Sequence, residues 1–332
     1  MKTFIKHILF YIALFTGLIL TVDFLTSSII NKYANFKLAA NPRYVILGHS
    51  HPECAFNDSL IPDLKNLSAS GEAYFYTYFK AKKILEQNPS IEIVLIEYTN
   101  NQITPEMDAW TWYDENFSDK YSKYAPFMAL TDQFILMQNN PKGYLNSFSY
   151  SNRIKLNKVM GRKYDFTTSI GGYKFLVRNR TDSLLKLLNT SNTRNLKHDR
   201  AAESSKNISA TSLVYLKKTI ELCKRYGKKV LLVRSPQRME YTASYNNEST
   251  YKKILSDHFS TIEYLDFSNF PLANSEFGDL GHLNYKGARV FSEWIAELIN
   301  NGLLEKTGKQ KFIDDKIKSR VQNTDFLEAN VR

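Results

Sequence analysis

The stretch YVILGHSHPECAFN, residues 44–57, joins an apolar run to a cluster of reactive side chains. The run Tyr44–Leu47 is continuous rather than alternating, which is typical of a strand buried on both faces. Gly48 follows it and allows a sharp turn. The cluster behind that glycine consists of His49, Ser50, His51, Glu53 and Cys54. Its chemistry is open at this point: a metal site, a serine or cysteine nucleophile, and an inert turn all fit these residue types.

Similar apolar runs recur along the chain and predict a parallel sheet. Beyond the first run, the predicted strands are Lys65–Ala69 (the weakest), Ile91–Tyr98, Lys229–Arg234 and Ile262–Phe267. The segments with helical periodicity between and after them are Glu72–Gln87, Ser212–Tyr226 and Tyr285–Asn300. Alternating strands and helices predict a three-layer α/β/α fold with about five parallel strands. Right-handed crossovers favour a flavodoxin-like strand order.

One long segment, from about residue 100 to residue 211, interrupts this alternation. It is rich in aromatic residues, Asn and Ser. Because a structureless loop of such length is uncommon, we expect an inserted helical subdomain that serves as a lid at the carboxyl edge of the sheet. The predicted catalytic domain runs from 40 to 302. The charged tail, 303–332, is expected to form a surface helix with a frayed end.

The first 31 residues predict a membrane anchor. Lys2 and Lys6 precede the uncharged stretch ILFYIALFTGLILTV, residues 8–22, and the apolar character continues past Asp23 to Ile30. The segment reaches the roughly 20 residues that a spanning helix needs, and lysines before it favour a cytoplasmic N-terminus. We therefore expect a single-pass protein of the cytoplasmic membrane whose catalytic domain faces the periplasm or extracytoplasmic side. A cleaved signal peptide is the main alternative, and a buried soluble helix is a more remote one.

Charge and cysteine content narrow the classes of partner. The net charge is +11 over 332 residues, but the basic residues are scattered, and no helix carries the dense basic stripe of a nucleic-acid binder. We therefore expect no nucleic-acid partner. The charge fits a basic soluble surface, or work near anionic lipid or acidic polysaccharide. Cys54 and Cys223 are too few for a disulfide framework, and whether they form a single bridge stays open.

Ser50 gains significance from two residues more than 200 positions away. It lies just past the first strand, at the edge where ligands bind in this architecture. Asp279 and His282 stand three residues apart in FGDLGHLNYKGARVF, residues 277–291, before a final helix that Asn284 could cap. A serine nucleophile needs a base, and the base needs an orienting acid. We expect the three side chains to meet at one sheet edge, although Ser50 alone would also fit a simple helix N-cap.

These blocks resemble the SGNH/GDSL superfamily of esterases and acyltransferases. The matching blocks are Gly48-His49-Ser50, Ser70-Gly71-Glu72, Asn100 or Asn101, and Asp279-Leu280-Gly281-His282. The order of strands and helices resembles that of the family from about Tyr44 to Ile299. Identical residues are found only in the blocks. It implies that Ser50 is the nucleophile and that Asp279 and His282 form its base pair. It also implies an oxyanion hole made by the N–H groups of Ser50 and Gly71 and by the side chain of Asn100 or Asn101.

Two departures from the family pattern refine the resemblance. The usual Gly-Asp-Ser reads Gly-His-Ser here, and the third block lacks its preceding glycine. Together with the N-terminal anchor, these features look more like the membrane-tethered envelope branch, which includes proteins of teichoic-acid D-alanylation and alginate O-acetylation. His49 takes the place of the usual aspartate and is expected to shape the site rather than bind metal. The likeness also implies work beside a membrane-bound O-acyltransferase.

The resemblance implies an extracytoplasmic, serine-dependent O-acyl esterase or O-acyltransferase that acts on cell-envelope or secreted polysaccharide through an acyl-serine intermediate. Its partners would be an acyl donor and a carbohydrate acceptor, and neither a cofactor nor a metal is implied.

Residue types alone leave three alternatives. A metal could bind His49-x-His51, although no further Cys/His array accompanies it. Cys54 could be the nucleophile. A catalytically silent module of the same fold could bind polysaccharide or assist assembly, with Trp110, Trp112 and Tyr113 stacking on sugars.

Overall fold

The computed structural model describes residues 1–189, 208–243 and 245–330. The chain forms two compact units. The anchor unit consists of Met1–Lys37 and Ala109–Ser169, and the sheet unit consists of Leu38–Asp108 and Ile170–Arg332.

The sheet unit is built on parallel strands, which within the described residues are β1 (Tyr44–Leu47), β2 (Leu64–Asn66), β3 (Ile93–Glu97), β4 (Lys229–Arg234) and β5 (Glu263–Asp266). Their order is β2-β1-β3-β4-β5, with every neighbouring pair parallel. This confirms the predicted flavodoxin-like order. Beyond β2 the chain still pairs with β1, because the N–H groups of Leu67 and Ala69 donate to the carbonyls of Ile46 and Gly48 at 2.9 and 3.0 Å.

Helices surround this sheet and form the anchor unit. In chain order the described α-helices are α1 (Lys2–Tyr33), α2 (Ser50–Ala55), α3 (Tyr74–Gln87), α4 (Ala109–Trp112), α5 (Asp114–Tyr124), α6 (Leu130–Asn139), α7 (Pro141–Met160), α8 (Thr181–Asn189), α9 (Ala210–Arg225), α10 (Met239–Ala243), α11 (Glu248–Phe259), α12 (Tyr285–Asn300) and α13 (Lys309–Asn330). The predicted bounds of α12 are confirmed. The helix predicted from Ser212 begins earlier, because the Ser209 side chain accepts the N–H of Ser212 and caps it.

The two faces of the sheet are covered by different helices. Alternate strand residues on one face share a core with α12 and α13, which includes Tyr44, Ile46, Leu95, Leu231, Val233, Phe291, Trp294, Leu298 and Ile313. Most of the intervening strand residues, among them Val45, Val94, Ile96 and Leu232, are also buried. The helices α3 and α9 pack against each other, and α9 also packs against β4. Burial of both faces explains why the strands read as continuous apolar runs. The three-layer α/β/α fold is therefore as predicted.

Two boundaries differ from those predicted. Residues 109–169 of the expected insert belong to the anchor unit, whereas residues 100–108 and the chain from residue 170 onward belong to the sheet unit. The charged tail also belongs to the sheet unit, since Ile313 and Ile317 of α13 are buried, at 0% and 8% exposure. Apolar residues four positions apart share one helix face, a signal that the high charge of the tail obscured.

α1 has two distinct parts. It is long and apolar enough to cross a membrane, and its most apolar window has a mean hydropathy of 2.2. Towards its C-terminal end, however, four side chains are buried inside the anchor unit: Asp23, Thr26, Ser27 and Ile30. Asp23 is paired with Lys155 of α7, which also donates to Ser27 Oγ at 3.2 Å. The helix is therefore both a candidate membrane span and part of a packed helical unit.

Candidate active site

The sheet unit brings together Ser50, His282 and Asp279. The Oγ of Ser50 lies 2.7 Å from Nε2 of His282, and Nδ1 of the same ring lies 2.8 Å from Oδ1 of Asp279. The side chains of His282 and Asp279 are 20% and 19% exposed. The three groups form one continuous hydrogen-bonded chain that reaches solvent, which is the arrangement that a serine nucleophile and its base require.

Ser50 occupies the first position of α2, immediately beyond the turn that follows β1. The N-cap residue of that helix is His49 rather than Ser50, so Ser50 has no capping duty and its hydroxyl is engaged by His282 instead. Gly48 is required just before it, because a Cβ at this position would lie 2.5 Å from Oε2 of Glu97. The strand end and this close packing together aim Ser50 at the carboxyl edge of the sheet.

The loop at residues 277–283 holds the other two groups. It is closed by a bridge between Phe277 and Leu283 and by the N–H of Gly278, which donates to the carbonyl of His282 at 2.8 Å. Directly after it, Asn284 caps α12 by accepting the N–H of Lys286 at 3.0 Å. The spacing Asp-x-x-His therefore lies in a short closed loop whose exit is fixed by a helix start.

Asp279 is held as a carboxylate. Its Oδ1 accepts the N–H groups of Gly281 and His282, at 2.9 and 3.0 Å, in addition to the His282 ring. Burial raises its pKa, but the hydrogen bond and charge of His282, the Gly281 N–H and the Arg178 guanidinium outweigh burial and bring the pKa to about 2. Asp279 is therefore ionised at neutral pH and orients His282 through Nδ1.

Arg178, which the sequence analysis missed, binds the other oxygen of Asp279. It lies on an extended segment, residues 170–180, that we call the strap. The N–H of Lys174 donates to the carbonyl of Glu53 at 2.7 Å, and the N–H of Arg180 donates to that of Gly278 at 2.9 Å. The segment predicted as lid or loop material is thus tied to both sides of the site. No motif marks Arg178, because its partner is about 100 residues away in sequence.

The turn at Gly71 is tied to the strand end before Ser50. Gly71 lies in a turn closed by the N–H of Glu72 and the carbonyl of Ala69 at 3.1 Å, and its φ of 64° favours glycine. The N–H of Ala69 donates to the carbonyl of Gly48 at 3.0 Å and connects this turn to the chain before Ser50. Among residues 1–189, 208–243 and 245–330, no backbone hydrogen bond engages the N–H of Ser50 or of Gly71.

A buried ion pair supports the turn at Gly71. The Nζ of Lys80 donates to Oε2 of Glu72 at 2.6 Å and to the carbonyl of Ile170 at 3.0 Å. Both charged side chains are fully buried. Removal of either partner would leave an uncompensated charge in the core, at a cost of about 3–5 kcal/mol. The pair therefore fixes the turn that follows β2 and its connection to the strap.

The two candidate asparagines have different environments. Asn100 points away from the nucleophile: its Nδ2 donates to Asn247 and Glu248, each at 2.9 Å, and its Oδ1 accepts from Arg234 at 2.7 Å. Asn101 lies within the cluster, with its Nδ2 2.5 Å from Nε2 of His49. Of the two predicted alternatives, Asn101 is therefore the one placed to contribute an amide donor to the site.

Glu97, also missed from sequence, is the centre of a buried group behind the nucleophile. It ends β3 and is 0% exposed. Its Oε2 accepts the backbone N–H of His49 at 2.7 Å and lies 2.8 Å from His49 Nδ1. Burial raises its pKa, but His49 and then His51 outweigh burial and bring the pKa to about 2. A charged residue at the end of an otherwise apolar strand was the available signal.

His51 packs between this group and His282. Its ring centroid lies 5.1 Å from that of His282 in an edge contact, and its Nδ1 lies 2.8 Å from Nε2 of Gln237. Burial above all lowers its pKa to about 3. His51 is therefore neutral at pH 7, and its ring packs against that of His282.

The hypothesis of a metal site at His49 and His51 brings in a third residue, Glu97. His49, His51 and Glu97 each place a ligand atom within 4.8 Å of the others. Hydrogen bonds hold one side of this group, since Oε2 of Glu97 accepts the backbone N–H of His49 and lies 2.8 Å from its Nδ1. On the other side, Oε1 of Glu97 lies 3.2 Å from Nδ1 of His51, and among the described residues Oε1 of Glu97 and Nε2 of His51 are buried without a hydrogen-bond partner.

The hypothesis that Cys54 is the nucleophile does not fit the structure. Cys54 and Cys223 are both buried and free, so they do not form a bridge. Burial raises the pKa of the Cys54 thiol to about 12. The thiolate form, which is the reactive one, is therefore scarce at neutral pH.

A polar cleft lies next to the site. Its volume is ≈ 610 Å³, and it is lined by residues beyond the carboxyl ends of β4 and β5, among them Arg234, Gln237, Glu248, Asp266 and Asn269. Gln237 connects the cleft to the site through its contact with His51. Its lining offers both donors and acceptors, which suits a ligand with many hydroxyl groups.

The chain resembles known proteins in part of its sequence and in its fold. A family model matches residues 173–304, less than half of the chain. No curated protein sequence matches it. The fold is similar to that of a proposed acylhydrolase from Bacteroides fragilis NCTC 9343, at 12% identity and a TM-score of 0.34, over 82% of this chain and 93% of the other. It is also similar to a GDSL-like lipase from Bacteroides thetaiotaomicron VPI-5482, at 10% identity and a TM-score of 0.35, over 85% and 98% of the two chains. Since both TM-scores are low, the proposed function rests on this chain's own geometry.

Proposed function

We propose that this protein is a serine-dependent O-acyl esterase or O-acyltransferase. The observation that carries the proposal is the hydrogen-bonded chain from Ser50 through His282 to Asp279, at 2.7 and 2.8 Å. A hydroxyl, an imidazole and a carboxylate in this order supply a nucleophile, its base and an orienting acid, at the edge of a sheet where ligands bind. We assign the N–H groups of Ser50 and Gly71 as the oxyanion donors, because no backbone hydrogen bond engages them among the described residues.

In the proposed first half-reaction, Nε2 of His282 takes the proton of Ser50 as Oγ bonds to the carbonyl carbon of an ester or thioester. The carbonyl oxygen becomes an oxyanion, which accepts from the N–H groups of Ser50 and Gly71 and from the Asn101 amide. Collapse of this intermediate breaks the bond to the leaving oxygen or sulfur, which receives the proton from His282. Asp279 stays ionised throughout and stabilises the imidazolium.

In the second half-reaction the acyl-serine passes its acyl group to water or to a hydroxyl group of a carbohydrate. His282 again removes the proton of the attacking water or hydroxyl, and it returns this proton to Oγ of Ser50 as the bond between Oγ and the acyl carbon breaks. The cleft beside Gln237 supports a hydroxylated acceptor, because its lining includes the polar residues Ser249, Ser268 and Asn269. We propose cell-envelope or secreted polysaccharide as that acceptor, so that transfer and hydrolysis are alternative fates of one intermediate.

The anchor unit supports the proposed location at the membrane. Asp23 and Ile30 of α1 are buried within that unit, so cleavage near residue 31 would remove part of its packed interior. We therefore propose a retained signal anchor, with the sheet unit on the extracytoplasmic side and a membrane-bound O-acyltransferase as the partner that supplies acyl groups. Intact-mass measurement of protein extracted from membranes should show the full N-terminus, and a mature chain that begins after residue 31 would contradict the proposal.

The central test uses the full chain in detergent with p-nitrophenyl acetate, with and without an oligosaccharide acceptor. We expect an acetyl group on Ser50 by mass spectrometry, and no turnover by Ser50→Ala. Acetylated oligosaccharide identifies a transferase, and acetate alone identifies an esterase. Undiminished turnover by Ser50→Ala, or neither product, would overturn the proposed function and favour the catalytically silent binding module.

A further inference from the structure

A buried carboxylate determines which nitrogen of His49 carries the proton. Oε2 of Glu97 accepts the backbone N–H of His49 and lies 2.8 Å from its Nδ1. The side chains are 0% and 4% exposed, so water cannot substitute for this partner. An ionised carboxylate at 2.8 Å requires a donor, and Nδ1–H is the donor available. The competing contact, from the N–H of His51 to the same nitrogen, is longer at 3.3 Å.

Nε2 of His49 faces an amide nitrogen, which can only donate, so this ring nitrogen is an acceptor and carries no proton. The group that faces Nε2 is Nδ2 of Asn101, at 2.5 Å. Nδ2 must therefore donate one of its two hydrogens to His49. At the other end of the amide, Oδ1 of Asn101 accepts from Oγ1 of Thr99 at 2.7 Å. The amide is held at both ends, and its second N–H is left for another acceptor.

We propose that His49, held by Glu97, is a positioning residue that orients the Asn101 amide so that its remaining N–H points to the oxyanion. This inference rests on the proposed function, because it concerns the same reaction. It assigns the Gly-His-Ser sequence a specific task. His49 both donates to Glu97 and accepts from Asn101, which a carboxylate in its place could not do beside an ionised Glu97.

The direct test is the tautomer of His49 in the full chain in detergent. The protein has 6 histidines, so ¹⁵N-histidine labelling and long-range ¹H–¹⁵N correlation spectra resolve individual rings. The His49 signal is identified by its loss in His49→Gln. We expect a proton on Nδ1 of His49 and none on Nε2. A ring protonated at Nε2 would overturn the proposal, because Asn101 could then not donate to it.

The kinetic test is a double-mutant cycle with p-nitrophenyl acetate. We expect His49→Leu to lower kcat about 10–100-fold with KM within about twofold, and His49→Gln to retain part of the activity, since it can both donate and accept. In the Asn101→Ala background, His49→Leu should cause no further loss, because its effect passes through Asn101. Multiplicative losses would overturn the proposal.

One further variant separates a failure to fold from a failure of the proposal. His49→Leu leaves the buried charge of Glu97 without a partner, so His49→Leu/Glu97→Gln provides a version without that charge if the single variant fails to fold. The same kcat loss is expected from it. If Ser50→Ala and Asn101→Ala are inactive while these His49 variants keep full kcat, the positioning role is wrong and the proposed function stands. Full activity of Ser50→Ala would instead remove the proposed function itself.

Discussion

Two carboxylate–imidazole pairs lie at the same edge of the sheet and differ mainly in exposure. Asp279 and His282 are 2.8 Å apart with side chains 19% and 20% exposed. Glu97 and His49 are also 2.8 Å apart, but their side chains are 0% and 4% exposed. In each pair the carboxylate orders one ring nitrogen and the other nitrogen faces a partner. That partner is the Ser50 hydroxyl in the first pair and the Asn101 amide in the second.

The difference shows how one chemical motif serves two purposes. A partly exposed imidazole can gain and lose a proton during a reaction, because water stabilises the charged form. A buried imidazole next to a buried carboxylate keeps its proton on one nitrogen and acts as a fixed dipole. We therefore expect the partly exposed pair to transfer protons and the buried pair to fix the orientation of Asn101. Four predictions test this comparison.

The largest effect is expected from Asp279→Asn. The amide would favour the wrong tautomer of His282, and kcat should fall by about 10³–10⁴. The matched change Glu97→Gln should lower kcat far less, because Glu97 orients His49 and takes no part in proton transfer. Steady-state hydrolysis of p-nitrophenyl acetate measures both, with melting temperature as the control for folding. Equal losses in the two variants would contradict the division of roles.

The next largest effect separates the two asparagines. Asn101→Ala should lower kcat by about 10²–10³, the usual cost of one oxyanion donor. Asn100→Ala should leave kcat of the folded protein nearly unchanged and lower the free energy of unfolding by about 1–3 kcal/mol, because Arg234 loses a buried acceptor. Kinetics and urea unfolding on both variants measure this. A larger kcat loss in Asn100→Ala would assign the oxyanion role to Asn100.

A smaller, pH-dependent effect is expected at His51. Its folded pKa is about 3, against about 6.5 when unfolded. Between these values the unfolded chain binds a proton that the folded chain does not, so stability should fall as pH drops below 6.5, by up to about 1.4 kcal/mol per pH unit. Glu97 and Asp279, with folded pKa values of about 2, stabilise the fold above about pH 4 and lose this effect only below it.

In the window between pH 5 and 6.5, His51→Gln should flatten the pH dependence of the free energy of unfolding. Urea unfolding of the two proteins at pH 5 and 6.5 compares the slopes. An unchanged slope would show that His51 titrates normally in the folded protein.

The smallest effect is expected from Arg178→Leu. Arg178 binds the outer oxygen of Asp279 but is 40% exposed, and exposed ion pairs contribute about 0.2–1 kcal/mol. We expect kcat to fall by up to about fivefold. Arg180→Leu, on the same strap and with an exposed side chain, is the matched control and should be neutral. A loss of kcat comparable to that of Asp279→Asn would show that Asp279 depends on its ion pair with Arg178.

Local sequence patterns predicted much of the fold. The continuous apolar runs located β1, β3, β4 and β5, because strands covered on both faces exclude polar residues. Helical periodicity located α3, α9 and α12. The patterns were less informative where packing depends on distant partners. Asp23 and Lys155 are 132 residues apart and link α1 to residues 109–169, and no local signal reveals such a pair.

The candidate site shows the same division. Ser50, Asp279 and His282 were recognisable because each stands in a short motif beside a strand or helix end. Arg178 and Glu97 were not, because each is an ordinary charged residue until its partner across the site is known. The choice between Asn100 and Asn101 also lay beyond local pattern, since adjacent residues in a 3₁₀ turn point in different directions.

The sequence by itself determined the layered fold, the apolar N-terminal helix and the serine, histidine and aspartate of the candidate site, because these depend on short-range periodicity and on residues placed at strand ends. Only the tertiary structure decided what surrounds Ser50. It placed Arg178 on Asp279, turned Asn100 away, and brought His49 between Glu97 and Asn101. The physical reason is that hydrogen-bond partners and burial depend on groups far apart in the chain, whereas the chemistry of GHSH is local. His49 has a fixed orientation only because Glu97 is buried beside it.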